Sequence, residues 1–187
     1  MGGKRVELLE GQNVNLKIVE KEDLPSMLEW FNDPEFFGRY NPLEQLSRAE
    51  MEKDFDRPNR PKSFLVQKKD GTKVGFIESR DVIPNTSGMF GLELGYCLLP
   101  GERGKGYCTE AINILLDFLF LSSAVARVQV VTDTRNGASQ RVLEKVGFRK
   151  EGTIRKFMFS RGEWRDGYLC SILREEWKRP RMLKGAL

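Results

Sequence analysis

A short stretch near the middle of the chain carries the residue types and spacing with the clearest chemical use. It reads Arg103-Gly104-Lys105-Gly106, and an apolar helix is predicted directly after it. Glycines at such a turn let backbone N–H groups converge on an anion, and the positive end of the helix dipole adds to the attraction. The two cationic side chains add positive charge. The turn therefore predicts a phosphate or pyrophosphate site.

Two common phosphate motifs do not fit this spacing. A P-loop needs Ser or Thr after Gly-Lys, but Gly106 follows Lys105, and Leu99 stands where the first glycine should be. A dinucleotide-binding fingerprint needs glycine three residues after Gly106, where Thr109 stands. The remaining alternative is a plain tight turn with a surface Arg and Lys. So many glycines and cations at the entrance of a buried helix favour the anion site.

The same segment resembles the acetyl-CoA signature R-G-x-G-x-[G/A] of the GNAT N-acetyltransferase superfamily. Cys108 departs from the pattern where the family prefers Gly or Ala, but cysteine is small and apolar enough to keep the close approach. The resemblance continues in Thr109-Glu110-Ala111, Asn136-Gly137-Ala138-Ser139 and Glu144-Lys145-Val146-Gly147-Phe148. The chain also resembles the RimJ/RimL branch, which acetylates protein N-termini, ribosomal ones among them. The residues that carry this second resemblance are Trp30, Asp33-Pro34, Trp164-Arg165-Asp166 and Glu176-Trp177.

The resemblance implies acetyl-CoA as co-substrate and no metal. It implies that backbone N–H groups of the signature hold the pyrophosphate, and that the pantetheine arm follows a splayed strand near Leu98. The amide of that strand would polarise the thioester carbonyl. The acetyl-CoA-binding residues predicted in this way are Leu98, Arg103, Gly104, Lys105, Gly106, Tyr107, Cys108, Thr109 and Asn136.

Amine acetylation also needs proton transfer. The nucleophile must be neutral, whereas an α-amine has a pKa of about 8 and a lysine about 10.4. Glu93 is the first candidate base, because it lies on the strand entering the site and the family often has a carboxylate there; a solvent-facing Glu is the equal alternative. Ser139 is the family-style proton relay to the leaving thiolate, and a helix-capping hydroxyl beside Asn136 is its alternative. Tyr107 and Tyr168 are weaker candidates.

The histidine and cysteine content of the chain argues against several kinds of site. The chain has no histidine, so the commonest metal ligand and general base are missing. Its three cysteines are odd in number and lack C-x-x-C spacing, which argues against a disulfide scaffold or a zinc site and for a reducing compartment. A covalent acyl-enzyme at Cys97 or Cys108 is disfavoured, since no histidine is present to activate either thiol.

The elements that must position these residues alternate in type along the chain. We expect an α+β, three-layer α/β/α fold of the GNAT kind, with a central mixed, largely antiparallel twisted sheet and a β-α-β acetyl-CoA-binding core. The crossover around the signature should be right-handed and should join parallel strands. Predicted strands are Val14–Val19, Ser63–Lys68, Lys73–Asp81, Phe90–Leu99, Arg127–Thr132, Thr153–Ser160 and Trp164–Leu173. Predicted helices are Lys21–Asn32, Ser47–Phe55 and Cys108–Leu121, with another beginning after Asn136 and closing at Gly147.

Length and composition set the remaining expectations. The 187 residues predict one domain spanning 1–187, with a core of about 12–178 and a flexible basic tail. The absence of a leader and of a long apolar run predicts a cytoplasmic protein. A net charge of +4 is modest and does not argue for nucleic acid or membrane partners. A monomer and a homodimer are both acceptable.

The sequence indicates less about the acceptor than about acetyl-CoA binding. The leading hypothesis is acetyl transfer to a protein or peptide N-terminal α-amine; alternatives are a small amine (polyamine, aminoglycoside or amino acid), a non-catalytic CoA-binding sensor, and a nucleic-acid-binding module. Aromatic residues that could wall the acceptor site, or simply pack in the core, are Trp30, Phe31, Phe36, Phe37 and Tyr40. Carboxylates that could attract a cationic amine are Glu35, Asp54 and Asp56.

Overall fold

A single eight-stranded sheet organises the computed structural model, which describes residues 8–84, 86, 88–177 and 180. The strands are β1 Leu8–Glu10, β2 Val14–Ile18, β3 Lys62–Lys68, β4 Lys73–Asp81, β5 Leu92–Leu98, β6 Arg127–Asp133, β7 Arg149–Ser160 and β8 Glu163–Leu173. Their spatial order is β1-β2-β3-β4-β5-β6-β8-β7, and every neighbouring pair except β5–β6 is antiparallel. The basic residues of the predicted C-terminal tail lie outside the described part.

Five α-helices accompany the sheet within these described residues. They are α1 Leu24–Phe31, α2 Pro34–Phe37, α3 Arg48–Phe55, α4 Tyr107–Ser122 and α5 Gly137–Val146. The predicted helix Lys21–Asn32 begins with a 3-10 turn and ends before Pro34, as expected. The sequence did not predict α2, which starts at that same proline because the Asp33 side chain accepts from the Glu35 N–H at 2.9 Å.

Alternating side chains of β3 place helices on both faces of the sheet. Phe64 and Val66 join the core that α4 and α5 cover, whereas Leu65 between them packs with residues of α1 and α3. Successive side chains of a strand point to opposite faces, so each face needs its own cover. The predicted three-layer architecture with a mixed, mostly antiparallel sheet is confirmed.

The one parallel pairing of the sheet is unusually short. Strand β5 meets β6 only at Leu92 opposite Val128 and at Glu93 opposite Gln129, although both strands continue beyond these pairs. The parallel pairing confirms that the predicted crossover joins parallel strands, with α4 as its helix. Past Gln129 the two strands separate, and a gap opens inside the sheet.

A buried carboxylate of α4 holds the turn between β1 and β2. Oε1 of Glu110 accepts from the backbone N–H groups of Gln12 (2.6 Å), Asn13 (2.7 Å) and Val14 (3.1 Å), and Oε2 accepts from the Asn13 side chain at 2.8 Å. Gly11 permits this approach, because a Cβ there would lie 2.6 Å from the same carboxylate oxygen. The start of α4, where the signature lies, is thereby tied to the first hairpin.

The other end of α4 is fixed by the C-terminal part of the described chain. The Arg174 guanidinium donates to the carbonyls of Phe120 and Val125, both at 2.8 Å, and to that of Ser123. A cation at a helix C-terminus satisfies carbonyls that have no partner within the helix. Both ends of α4 are therefore anchored.

Candidate active site

The gap between β5 and β6 opens into a cavity of about 380 Å³. Its walls come from β4, β5 and β6, the start of α5, residues of β7 and the segment around α2. Three residues predicted from the sequence line it together: Glu93, Asn136 and Ser139. Phe31, Phe37 and Tyr40 of the aromatic-rich segment line it as well, whereas Phe36 is fully buried and Trp30 stacks on it.

The glycine-rich turn lies just after the end of β5. Gly104 (φ +76°) and Gly106 (φ +86°) have positive φ, and Gly106 is the N-cap of α4. Within the described part of the chain, the backbone N–H groups of residues 104–109 donate to no protein acceptor. A Cβ built on either glycine would meet nothing within 4 Å, so the space beside the turn is open. These free donors at a helix N-terminus fit a phosphate group.

The Arg103 side chain has a different use from the one its sequence position suggests. Its Nε donates to the Leu98 carbonyl at 3.0 Å, and its Nη2 donates to the carbonyls of Glu35 (3.2 Å) and Phe36. The guanidinium thus joins the end of β5 to α2. Lys105 forms an ion pair with Glu102 at 2.9 Å, so its charge is partly compensated. The anion-binding capacity of the turn rests mainly on its backbone.

We expect Arg103→Ala to change stability more than acetyl-CoA binding. Losing three hydrogen bonds from an exposed guanidinium should lower the free energy of unfolding by about 1 kcal/mol. The Kd for acetyl-CoA should change by less than about threefold, which is under 1 kcal/mol. Urea denaturation and calorimetric titration measure the two quantities separately. A large loss of affinity with unchanged stability would instead show that this guanidinium binds the phosphates.

The Ser139 hydroxyl is paired with a tyrosine inside the cavity. Tyr96 Oη and Ser139 Oγ lie 2.8 Å apart. Burial, with a smaller contribution from the neighbouring Cys108, raises the pKa of Tyr96 above its usual value, so its phenol stays protonated. Helix α5 is capped by the Asn136 side chain, which accepts from the Ser139 N–H at 3.1 Å. The hydroxyl therefore does not cap the helix and is available for chemistry.

Two glutamates on adjacent strands line the cavity in different environments. Glu93 of β5 is held at both oxygens, by Arg80 Nη2 at 2.6 Å and by Gln129 Nε2 at 3.0 Å. Among the described residues, Glu78 of β4 has only the Ser63 hydroxyl at 3.3 Å and Arg80 Nη1 at 4.0 Å. Burial raises the pKa of the Glu78 carboxyl, and the weak contacts with Arg80 and Ser63 oppose this only in part. No sequence motif points to Glu78, which has only its place on a predicted strand facing the site.

The cysteines near the site are protonated thiols. Burial raises the pKa of Cys97 to about 11 and that of Cys108 to about 12. Cys97 also donates to the Phe36 carbonyl at 2.9 Å. Because the thiolate is the nucleophilic form, both environments disfavour a covalent acyl-enzyme, in agreement with the sequence interpretation.

Several other sequence candidates lie away from the cavity walls. Tyr107 and Tyr168 pack against the core, and Lys150 lies over the Tyr168 ring. Asp56 pairs with Lys21, and Asp54 lies 3.9 Å from Arg57. The carboxylates that do line the cavity are Glu44, Glu78, Glu93 and Asp133.

Two kinds of feature are absent from the described residues. No group of three or more His, Cys, Asp or Glu side chains could hold a metal ion there. Among the helices of that same part, none has the length and apolarity to cross a membrane.

Comparison with known proteins gives a consistent picture. The sequence profile of the family described as Acetyltransferase (GNAT) domain matches residues 13–149. A prophage-derived uncharacterized N-acetyltransferase of Bacillus subtilis, YokL, is 31% identical over 175 residues, which cover 90% of this chain and 94% of that protein.

Two solved structures share the fold and differ in the acceptor they are named for. The ribosomal-protein-S5-alanine acetyltransferase of Vibrio fischeri superposes with a TM-score of 0.75 at 22% identity and covers 91% of this chain and 98% of its own. The spermidine N-acetyltransferase of Vibrio cholerae, solved in complex with CoA and spermine, gives a TM-score of 0.77 at 20% identity and covers 88% and 98%. At these identities the likeness concerns the fold alone.

Proposed function

Because this chain belongs to the GNAT acetyltransferase family, we propose that it transfers the acetyl group of acetyl-CoA directly to a primary amine. The observation that carries this proposal is the run of free backbone N–H groups at residues 104–109, beside the open gap between β5 and β6. The pyrophosphate binds to the N–H groups, and the pantetheine arm enters the gap along β5. The thioester then lies towards the cavity that receives the amine.

The Tyr96–Ser139 pair supports the departure of CoA. As the amine attacks the carbonyl carbon, negative charge develops on the carbonyl oxygen and then on sulfur. An amide of β5 stabilises the first charge, and the hydroxyl pair supplies a hydrogen bond to the second. Because neither hydroxyl is a strong acid, the pair acts as a relay for a proton that comes from the attacking amine.

The charge of the cavity supports a cationic amine as the acceptor. Its described lining contains four carboxylates and one guanidinium, that of Arg80, so a cationic amine is attracted. A protein or peptide N-terminal α-amine is the first candidate. A polyamine is the second, because excess negative charge also suits a small acceptor with several ammonium groups. Asp133 does not separate the two candidates, because its buried Oδ2 lies 3.7 Å from the Arg165 guanidinium.

The first experiment mixes the purified protein with acetyl-CoA and a panel of N-terminal peptides and small amines, and follows release of the CoA thiol. Release that depends on one acceptor class confirms the transferase and identifies its substrate type. Acetylation of small amines without any acetylated peptide would contradict the N-terminal assignment. Tight acetyl-CoA binding without release for any acceptor would contradict the enzymatic proposal and favour a sensor.

We expect Tyr96→Phe to lower kcat by about 10- to 100-fold, because the relay loses one of its two hydroxyls. The Kd for acetyl-CoA should be unchanged, since the phosphate-binding turn is intact. Tyr168→Phe is the matched control: it removes the same oxygen from a tyrosine that does not line the cavity. Steady-state kinetics on both variants and wild type test this. Equal rates for Tyr96→Phe and wild type would exclude the relay.

A further inference from the structure

We propose that Glu78, and not Glu93, binds the ammonium group of the acceptor and takes its proton. The assignment rests on the acetyl transfer proposed above and deepens it, since it identifies the residue that converts the bound cation into a nucleophile. Both glutamates line the cavity, one on β4 and one on β5. The hydrogen-bond partners of the two carboxylates, and not their positions alone, distinguish the roles that we propose for them.

Gly95 gives the Glu78 side chain its place in the cavity. The two residues are directly opposite each other in the β4–β5 ladder. A Cβ on Gly95 would lie 3.3 Å from both Cγ and Oε1 of Glu78. Cross-strand neighbours on one face normally share the space between them, but here the glutamate occupies it alone. Its carboxylate therefore lies over β5, the strand along which the pantetheine arm is proposed to run.

Glu93 is less able to act as a base because its charge is already neutralised. Its two oxygens accept from Arg80 at 2.6 Å and from Gln129 at 3.0 Å. An ammonium at Glu93 would have to displace a guanidinium. Glu78 has no donor closer than 3.3 Å among the described residues, so a bound ammonium would provide its first strong hydrogen bond.

The surroundings of Glu78 combine aromatic rings with few cations. Phe31, Phe37 and Phe76 line the same cavity and lie within 5.1 to 6.5 Å of one another, centroid to centroid. Aromatic faces attract an ammonium, and their low polarity disfavours an isolated carboxylate. Among the described residues, the ionisable or hydroxyl groups facing this space are Arg80 on β4, Ser63 on β3, Glu93 and Tyr96 on β5, Thr132 and Asp133 on β6, Ser139 on α5, and Tyr40 and Glu44 after α2. Arg80 is the only cation among them, and it is engaged by Glu93.

The proposed step balances as follows. The acceptor R–NH₃⁺ gives one proton to the Glu78 carboxylate and becomes R–NH₂, and the protonated glutamate later releases that proton to solvent. The amine nitrogen forms a bond to the thioester carbonyl carbon, and the C–S bond breaks. The second proton leaves the attacking nitrogen and reaches the CoA sulfur through the Tyr96–Ser139 pair. The products are an amide, CoA thiol and one proton.

The test compares Glu78→Gln with Glu93→Gln, and Glu144→Gln, an exposed glutamate of α5, serves as the matched control. We expect Glu78→Gln to lower kcat/KM by about 100- to 1000-fold and to abolish the acid limb of its pH profile. Glu93→Gln releases Arg80, which lies 4.0 Å from Glu78, so its acid limb should shift to lower pH and persist. Loss of the acid limb in Glu93→Gln alone, or equal losses in both variants, would overturn the assignment.

Amine binding gives a readout that does not depend on turnover. With CoA in place of acetyl-CoA no reaction occurs, and titration calorimetry measures the affinity for the amine. We expect Glu78→Gln to weaken this affinity by at least about tenfold, the effect of one lost charged hydrogen bond. Unchanged affinity would contradict the binding role. Wild-type protein that acetylates no amine would instead refute the proposed function, so the two failures are distinguishable.

Thermal stability separates a functional from a structural role. The pKa of Glu78 is raised in the folded protein, so its ionisation opposes folding. Its contribution to stability is full below the pKa of the unfolded chain and is lost as the pH rises through the folded-state pKa. At pH 8 the melting temperature of Glu78→Gln should therefore equal or exceed that of wild type. A large decrease would indicate that the glutamate supports the fold and would overturn the proposal.

Discussion

Gly106→Val is expected to weaken acetyl-CoA binding by about 100-fold, or about 2.7 kcal/mol. Gly106 has a φ of +86° at the N-cap of α4. A β-branched residue is a genuine outlier in this region, so the turn must change its backbone conformation. The N–H groups of residues 106–109 would then no longer converge on one point. Titration calorimetry with acetyl-CoA measures the loss.

Gly101→Ala is the control for that experiment. Gly101 belongs to the 3-10 turn just before the signature, and a Cβ there meets nothing within 4 Å. It lacks the positive φ of Gly104 and Gly106, so alanine is tolerated without rearrangement. We expect wild-type affinity. If folded Gly106→Val also bound acetyl-CoA normally, the phosphates would have to bind elsewhere.

Glu110→Ala is expected to lower the free energy of unfolding by about 3 to 5 kcal/mol. The substitution leaves three backbone N–H groups and the Asn13 amide without the acceptor that now binds all four. The buried Val14 N–H would carry its full desolvation cost, whereas the Gln12 and Asn13 donors are partly buried, and breaking a network around a buried charge is more costly than breaking a neutral one. Urea denaturation at pH 7 measures the difference from wild type.

The pH dependence of this loss provides its internal check. Burial alone would raise the pKa of Glu110, but hydrogen bonds from Asn13, Val14 and Gln12 outweigh it and hold the pKa below the ordinary 4.5. The carboxylate therefore contributes its stability above the unfolded-state pKa and loses it as the pH falls through the folded-state value. The difference in the free energy of unfolding between Glu110→Ala and wild type should therefore become smaller at acidic pH. Glu144→Ala, on the exposed surface of α5, should stay within about 0.5 kcal/mol of wild type.

Local signals explain how much of the fold could be predicted from the sequence. The Ser47 capping box, the Asp70-Gly71 turn and the cap at Asn136 lie next to the elements they bound, and the helices and strands beside them were predicted from the sequence. Strand β1 has three residues and α2 has four, so neither is long enough to show a periodic pattern. Their existence depends on contacts made after the chain has folded.

The candidate site also combines features that are local in the sequence with contacts between residues far apart in the sequence. The glycines of the signature predicted an anion-binding turn, and the structure gives that turn free N–H groups. The sequence could not show that the Arg103 side chain points to α2, because its acceptors lie 67 and 68 residues away. The Tyr96–Ser139 contact spans 43 residues, and Glu78 is exposed to the cavity only because a glycine lies opposite. Such relations depend on strand register, which a single sequence does not specify.

The brief pairing of β5 with β6 has a structural consequence. Five strands lie on one side of that junction and three on the other, and two residue pairs at one end join them within the sheet. Among the described residues, the backbone edges that face the gap therefore lack strand neighbours along most of their length. A pantetheine arm with its own amide groups can bridge those edges. Under the proposed function, the co-substrate would serve as the missing strand of the sheet while the amine is aligned.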